Sequence, residues 1–447
     1  MNNKTMLTDL YQLTMDAAYV DNQKDEIATF DLFIRKLPED WGYYIANGIE
    51  EAVDYLTNLQ FTDEDVEYLR KQGIFQEEFL EFLRTFRFEG DVYAVKEGTP
   101  IFANEPVLRV TAKRTQAQFL ETTLLNIINF QTMIASKASR VVNAAGNAKV
   151  ADFGLRRAQG EDAAMLGARA AYIAGAFATS NVKAGLEYGI PITGTHAHSF
   201  VMSFPNELDA FKAYVKTFPN NPTLLIDTYD TIQGAKNAVT VAKELEQQGK
   251  RLGAVRIDSG NLADLSKEVR KIFDKAALKY VRIVASNDLN EYKIENLREL
   301  GAPIDAYGVG TEMITAKPVA AIPGVYKLVE DDDGAKIKLS PGKKTLPGKK
   351  QIYRRVDEDG KYQKDIIAME DEVMGGNPLL ELAVKAGKRA REKPSLAQTR
   401  EYCLAEVRKL PDWLKKARVA QQYQVEVAPK LNDVVERLSY RYGNHFL

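Results

Sequence analysis

TLLIDTYDTIQGAKNAVTVAKELEQQGKRLGAVRIDSG, residues 223–260, holds a short apolar run, a longer stretch of helical periodicity and a second apolar run. Two β-favouring runs joined by a helix-length segment make a parallel βαβ unit, whose crossover is right-handed. The same rhythm continues outward, with AKVADFG from 148, IPITGT from 190, VRIVASND from 281 and PIDAYGVG from 303. LADLSKEVRKIFDKAALK supplies a further helical spacer. These runs predict six parallel strands, against about eight in a closed barrel. The expected architecture is therefore α/β, an irregular TIM-like (β/α) barrel over residues 146–322. Residues 1–145 mix helical with strand-like stretches and predict an N-terminal α+β domain. Residues 323–447 read as a hairpin, a basic loop and a charged helical region, and the hairpin can rejoin the N-terminal domain.

Each predicted strand ends in reactive residues: Asp152, His198, Asp227, Asp258, Ser286 with Asn287, then Gly308 and Gly310. In parallel α/β proteins the carboxyl ends of the strands hold the ligand. His196 and His198, in GTHAHSF, are two of only three histidines; the third is His445. On a strand, residues i and i+2 share a face, so the pair can be read as metal ligands completed by carboxylates. It can also be read as one nucleophilic imidazole, its tautomer fixed by Asp227 or Asp258. In DFGLRRAQG, Phe153 offers a ring face, and Arg156 with Arg157 offers guanidinium forks for a planar carboxylate. In RIDSGNL, beside Arg256, Asp258 suits Mg²⁺ or ribose hydroxyls and Ser259 suits a helix cap. Gly308, Gly310 and Thr311, in GVGTEM, suit a phosphate cradle, without the third glycine of a dinucleotide fingerprint. SPGKKTLPGKK lacks Walker A spacing and reads equally as a solvated basic loop.

Composition narrows the field. The 447 residues carry a formal net charge of −2, with 45% hydrophobic and 27% charged residues. That balance fits a globular protein and offers no general field for nucleic acid or anionic membranes. A single cysteine, Cys403, excludes an internal disulfide framework and suits a reducing compartment. With no signal-like or membrane-length apolar run, the expected location is the cytoplasm.

LTDLYQLTM, DFGLRRAQG, GTHAHSF, DTYD, RIDSG and YGVGT, in this order and spacing, resemble the nicotinate phosphoribosyltransferase family from about Met6 to beyond Arg355. The resemblance implies an irregular barrel beside an N-terminal α+β domain. It also implies an NAD-salvage reaction that joins nicotinate to phosphoribosyl pyrophosphate, giving nicotinate mononucleotide and pyrophosphate, with Mg²⁺ and coupled ATP hydrolysis. It casts His198 as the residue phosphorylated by ATP. Phe153 would stack on the pyridine ring, with Tyr11 on the other face, contributed in several relatives by the second subunit of a homodimer. Arg156 would lie near nicotinate, and Arg256, Ser286, Asn287, Gly308, Gly310 and Thr311 near the phosphoribosyl group. Asp227 and Asp258 would orient the reaction or hold ribose or metal. Ser180, in ATSNV, stands where nicotinamide-using relatives carry an aspartate in a helix, so the acid is the expected substrate. Quinolinate phosphoribosyltransferases are less similar, being shorter and lacking the GTHAHSF histidine. Two alternatives stay open: a metal-dependent barrel hydrolase on His196 and His198, and a non-catalytic phosphate- or nucleotide-binding protein.

Overall fold

A computed structural model describes residues 4–443, so His445 lies outside the described residues. The chain divides into two compact units, one of residues up to Ser136 with Ala321–Leu414 and Val419 onward, the other of Lys137–Ala320 with Lys415–Arg418.

The first unit is built on a seven-stranded antiparallel sheet. At its centre, strand Ile27–Ile34 lies between Pro106–Lys113 and Gly324–Asp331. The expected hairpin after residue 323 therefore rejoins the N-terminal sheet by direct pairing. A four-stranded sheet adds Lys350–Val356 and Tyr362–Met369. The basic loop is partly spent on this framework. Lys350 is buried, its Nζ 2.8 Å from Asp31 and donating to the carbonyls of Leu346 and Gly348. Lys349 pairs with Glu330, while Lys343 and Lys344 are exposed. Among the described residues no helix is long and apolar enough to cross a membrane.

The second unit carries the parallel sheet. Its strands are β1 (Lys149–Asp152), β2 (Ala178–Thr179), β3 (Thr223–Leu225), β4 (Ala254–Ile257), β5 (Arg282–Ala285) and β6 (Ala306–Val309). Its helices are α1 (Glu161–Ile173), α2 (Val182–Tyr188), α3 (His198–Met202), α4 (Glu207–Thr217), α5 (Thr231–Gln247), α6 (Leu262–Lys275), α7 (Glu291–Glu299) and α8 (Thr311–Ile314). The sheet order is β2-β1-β6-β5-β4-β3, every pair parallel. This is a curled half-barrel rather than the full eight-stranded ring of a TIM barrel.

Burial explains the alternation. Strands β3 to β6 are short and largely buried, as a parallel sheet covered by helices requires. Helix α5 buries Ala235, Ala238, Val241, Ala242 and Leu245, one stripe at helical spacing. Gly234, in its first turn, meets the backbone of Ile226, where a Cβ would overlap the carbonyl. Only glycine allows the helix that close to the strand end.

Two strand expectations need correction. IPITGT contributes a single bridge, Thr179 to Ile192, instead of a full strand. The other edge strand is β2, in ATSNV, so Ser180 follows a strand and precedes α2 rather than lying within a helix.

Candidate active site

Strands β1 and β3 to β6 point their carboxyl ends at one edge, and most of the candidate residues in this unit lie there. Asp152 ends β1 but is buried, and its carboxylate is spent internally. One oxygen accepts from the Gly154 amide at 2.8 Å and the other from the Thr179 hydroxyl at 2.7 Å. Burial raises its pKa above the ordinary value. It is a brace joining the Phe153–Gly154 turn to β2. Ser180, half-buried, donates its amide to the Asp152 carbonyl and is carried by the same brace.

Phe153 lies across the backbone of β6. A Cβ at Gly308 would overlap ring atoms Cε2 and Cδ2 of Phe153. The Phe153 amide donates to Val309 at 2.8 Å. Glycine at 308 thus makes room for an aromatic ring, a function separate from any phosphate. Arg156 and Arg157 sit exposed in the 3₁₀ turn Leu155–Arg157. Gly310 precedes α8, which Thr311 opens. Asn287 is exposed and has φ +98°, a left-handed conformation tolerated best by glycine and asparagine, and Asp288 follows at +42°. Tyr11 belongs to the first unit, on helix Leu10–Asp21, and is 47% exposed.

The most tightly connected cluster surrounds Arg256, on β4. Its Nε donates to the Ser286 hydroxyl at 2.8 Å, Nη1 to the Thr195 hydroxyl at 3.2 Å, and Nη2 to Asp258 Oδ1 at 2.8 Å. The Ser286 hydroxyl donates to the same Asp258 oxygen. The guanidinium carbon stands 5.7 Å from the Phe153 ring centroid. Burial pushes the Asp258 carboxyl up, but Ser286 and Arg256 outweigh it and hold the group below its ordinary value. Asp258 is therefore a carboxylate at neutral pH. Asp227 Oδ2 accepts from the Asp258 amide at 2.8 Å and the Ser259 hydroxyl at 2.6 Å. Ser259 is thus engaged with Asp227, and the cap of α6 is Asn261. Asp227 Oδ1 is buried without a hydrogen-bond partner.

The paired histidines diverge. The turn before them is not a strand, and His198 begins α3, so the expected shared face does not exist. His196 is 7% exposed, and its Nε2 accepts from the Leu225 amide at 3.2 Å. His198 keeps its side chain 39% exposed, with Nδ1 3.1 Å from the Thr228 hydroxyl and Nε2 3.8 Å from Asp258 Oδ2. Among the described residues no group of three or more His, Cys, Asp or Glu side chains is placed to hold a metal. The metal-hydrolase reading fails on geometry, because the His196 ring is enclosed by Phe200, Phe211 and Tyr214 while the His198 ring opens a helix and faces Thr228 and Asp258.

Sequence reasoning missed Thr195, Thr228 and the role of Asp152. Hydroxyls beside carboxylates and cations at strand ends were the available signal for the first two.

Fold and edge together define an α/β enzyme that acts at the carboxyl ends of its parallel strands. Comparison with known proteins narrows that class. The N-terminal domain of the nicotinate phosphoribosyltransferase (NAPRTase) family matches residues 6–129, the NAPRTase family itself residues 148–320, and its C-terminal domain residues 374–435. A nicotinate phosphoribosyltransferase of Mycobacterium tuberculosis is 41% identical, covering 97% of this chain and 94% of its own. The Bacillus subtilis protein of that name is 44% identical over 82% of this chain and 76% of its own. The crystal structure of human nicotinic acid phosphoribosyltransferase superposes with a TM-score of 0.85 at 29% identity, covering 96% of this chain and 99% of that one. The chain belongs to the nicotinate phosphoribosyltransferase family and is an enzyme of NAD biosynthesis.

Proposed function

We propose that this chain joins nicotinate to phosphoribosyl pyrophosphate at the carboxyl edge of its parallel sheet, and that ATP drives the reaction through phosphorylation of His198. In this reading the half-barrel is the larger part of an irregular barrel wall. The observation that carries it is the Arg256–Ser286–Asp258 cluster, with His198 half-exposed at its rim.

The bond from ribosyl C1 to the pyrophosphate oxygen breaks, leaving positive charge on the ribosyl ring. The nicotinate nitrogen then supplies the electron pair for the new bond. Asp258, ionised and held in place, is suited to ribose hydroxyls. Arg256 faces the phosphoribosyl group, with Ser286, Asn287, Gly308, Gly310 and Thr311 toward its phosphates. Phe153 offers a face to the pyridine ring, Ser180 a donor, and Arg156 a charge to the carboxylate. The buried, unpartnered Oδ1 of Asp227, together with the part-exposed Oδ2 of Asp258, suits Mg²⁺, which keeps several waters and takes only one or two protein carboxylates. Bound there with the substrate phosphates, Mg²⁺ would neutralise charge on the departing pyrophosphate.

In the ATP step one imidazole nitrogen of His198 attacks the γ-phosphorus, and ADP leaves; the phosphoryl group later passes to water. The Asp258 carboxylate can only accept and so favours a proton on Nε2. That leaves the lone pair on Nδ1, capped in the resting site by the Thr228 hydroxyl. Leu7, Leu10 and Tyr11 form an exposed apolar run, which suits a second copy of the chain supplying Tyr11 to the ring. The cytoplasm is the compartment that fits a lone, buried cysteine.

The deciding experiment measures mononucleotide formation from nicotinate and phosphoribosyl pyrophosphate, with and without ATP. The wild type should form nicotinate mononucleotide faster with ATP and hydrolyse ATP alongside, while His198→Ala should lose the stimulation entirely. No mononucleotide under any condition, or full stimulation in His198→Ala, would overturn the reading. A second substitution separates the two roles of Gly308. In Gly308→Ala the KM for nicotinate should rise about tenfold, from about 1–3 kcal/mol of overpacking against Phe153. The KM for phosphoribosyl pyrophosphate should move only if backbone at 308 also carries phosphate.

A further inference from the structure

His196 has no part in the chemistry above, yet it is built into the site more firmly than His198. Its ring lies among Phe200, Phe211 and Tyr214, with the Tyr214 ring edge-on at 4.6 Å between centroids. Its Nε2 accepts from the amide of Leu225, the last residue of β3. Two residues further along the same chain stands Asp227, and three residues further Thr228, the partner of His198 Nδ1. On the other side, Thr195 donates its hydroxyl to the His196 carbonyl at 3.1 Å and accepts from Arg256 on β4 at 3.2 Å. The turn leading into α3 is therefore tied to β3 by the His196 ring and to β4 by Thr195.

We propose that His196 is a positioning residue, whose Nε2 bond to the Leu225 amide holds the first turn of α3 where His198 meets Thr228. It would govern how tightly ATP hydrolysis is coupled to phosphoribosyl transfer without touching substrate. The inference rests on the reading of His198 as the phosphoryl acceptor.

Three features support it. The bond spans the two segments that carry His198 and its partner, so its loss changes their separation directly. Helix α3 is only one turn and a fraction long, His198–Met202, and cannot hold its own start rigid. Burial drives the His196 pKa down to about 4, so near neutral pH the ring keeps the Nε2 lone pair the bond requires.

The test compares His196→Leu, which fills the aromatic box but cannot accept, with His196→Gln, whose amide oxygen can. For each, thermal melting checks folding, and initial rates give mononucleotide formed without ATP, the stimulation by ATP, and ATP hydrolysed per mononucleotide. In His196→Leu the ATP-independent rate should stay within about twofold of wild type, and the stimulation should fall about tenfold, the worth of one buried hydrogen bond. ATP hydrolysed per product should rise, and His196→Gln should recover most of the coupling. A merely structural role would lower all rates together and leave the stoichiometry unchanged. Wild-type stimulation and stoichiometry in a folded His196→Leu would overturn the inference while leaving the ATP reading intact. Should His196→Leu not fold, His196→Gln still decides: a folded Gln variant with stimulation as low as His198→Ala overturns the acceptor bond as the cause. A wild type that ATP does not stimulate overturns both the inference and the reading beneath it.

Discussion

Glu291→Gln should destabilise the second unit by about 3–5 kcal/mol, a fall in melting temperature of about 10 °C for a unit of this size. Glu291 and Lys137 are completely buried and paired, and Arg140 Nε donates to the same carboxylate at 3.2 Å. Removing the only carboxylate of the trio leaves two buried cations facing each other, with Arg140 still held by the Ala417 carbonyl and no counter-charge within the trio. Burial already pushes the Lys137 pKa below its ordinary value, against the pull of Glu291. Without Glu291 the lysine loses its proton on folding more readily. Because the unfolded chain then binds the extra proton, the variant's stability should rise with pH from neutrality toward the ordinary lysine pKa. Denaturation followed at two pH values checks the sign. The double variant Lys137→Met, Glu291→Gln should recover part of the loss, since it removes one stranded charge. Activity should suffer as well. Glu291 opens α7, capped by Asn290, directly after the left-handed turn at Asn287 and Asp288.

None of that trio was legible in the sequence. Lys137 and Arg140 share one helix, and Glu291 sits in charged EYKIENLRE, which reads as an ordinary solvated helix. Charges are placed inside by tertiary context, and periodicity does not see it. The parallel sheet was far more legible, because a buried strand needs a continuous apolar run and its crossover helix needs one apolar stripe. The failures occur where those signals vanish. Strand β2 has two residues and no period, so nothing in the alternation marks it. Strand β6, last along the chain, inserts between β1 and β5. The pairing of Gly324–Asp331 with Ile27–Ile34 joins segments separated by the whole of the second unit. No local pattern encodes either arrangement.

At the site the sequence marked the right residues more often than their jobs. Polar strand ends led to Asp152, Asp227, Asp258 and Ser286 alike. Only the fold separates the first, braced against Gly154 and Thr179, from the carboxylates facing the open edge. The histidines show the same limit. Equal spacing on a strand gives equal exposure, but a helix starting at His198 turns that ring outward while Phe211 and Tyr214, from α4, enclose the other.

The largest catalytic effect is expected at Arg256, where Arg256→Ala should lower kcat/KM by about 10³. Three hydrogen bonds, to Ser286, Thr195 and Asp258, disappear together, along with the cation above Phe153. A residue that met only phosphate would raise the KM for phosphoribosyl pyrophosphate alone. On the proposed reading Arg256 also orders Ser286 and Asp258 for the ribose, so kcat should carry most of the loss. Arg256→Lys restores the charge but not the fork that reaches three acceptors at once, and should recover no more than about tenfold. The pH dependence gives an independent reading. Asp258 is held low partly by Arg256, so in Arg256→Ala its titration moves up. If the carboxylate is the active form, as the proposed function has it, the acid limb of kcat/KM should shift to higher pH with it. An unmoved acid limb beside a large loss in rate would mean that Arg256 serves the phosphoribosyl charge directly, and that Ser286 and His198 suffice to keep Asp258 ionised.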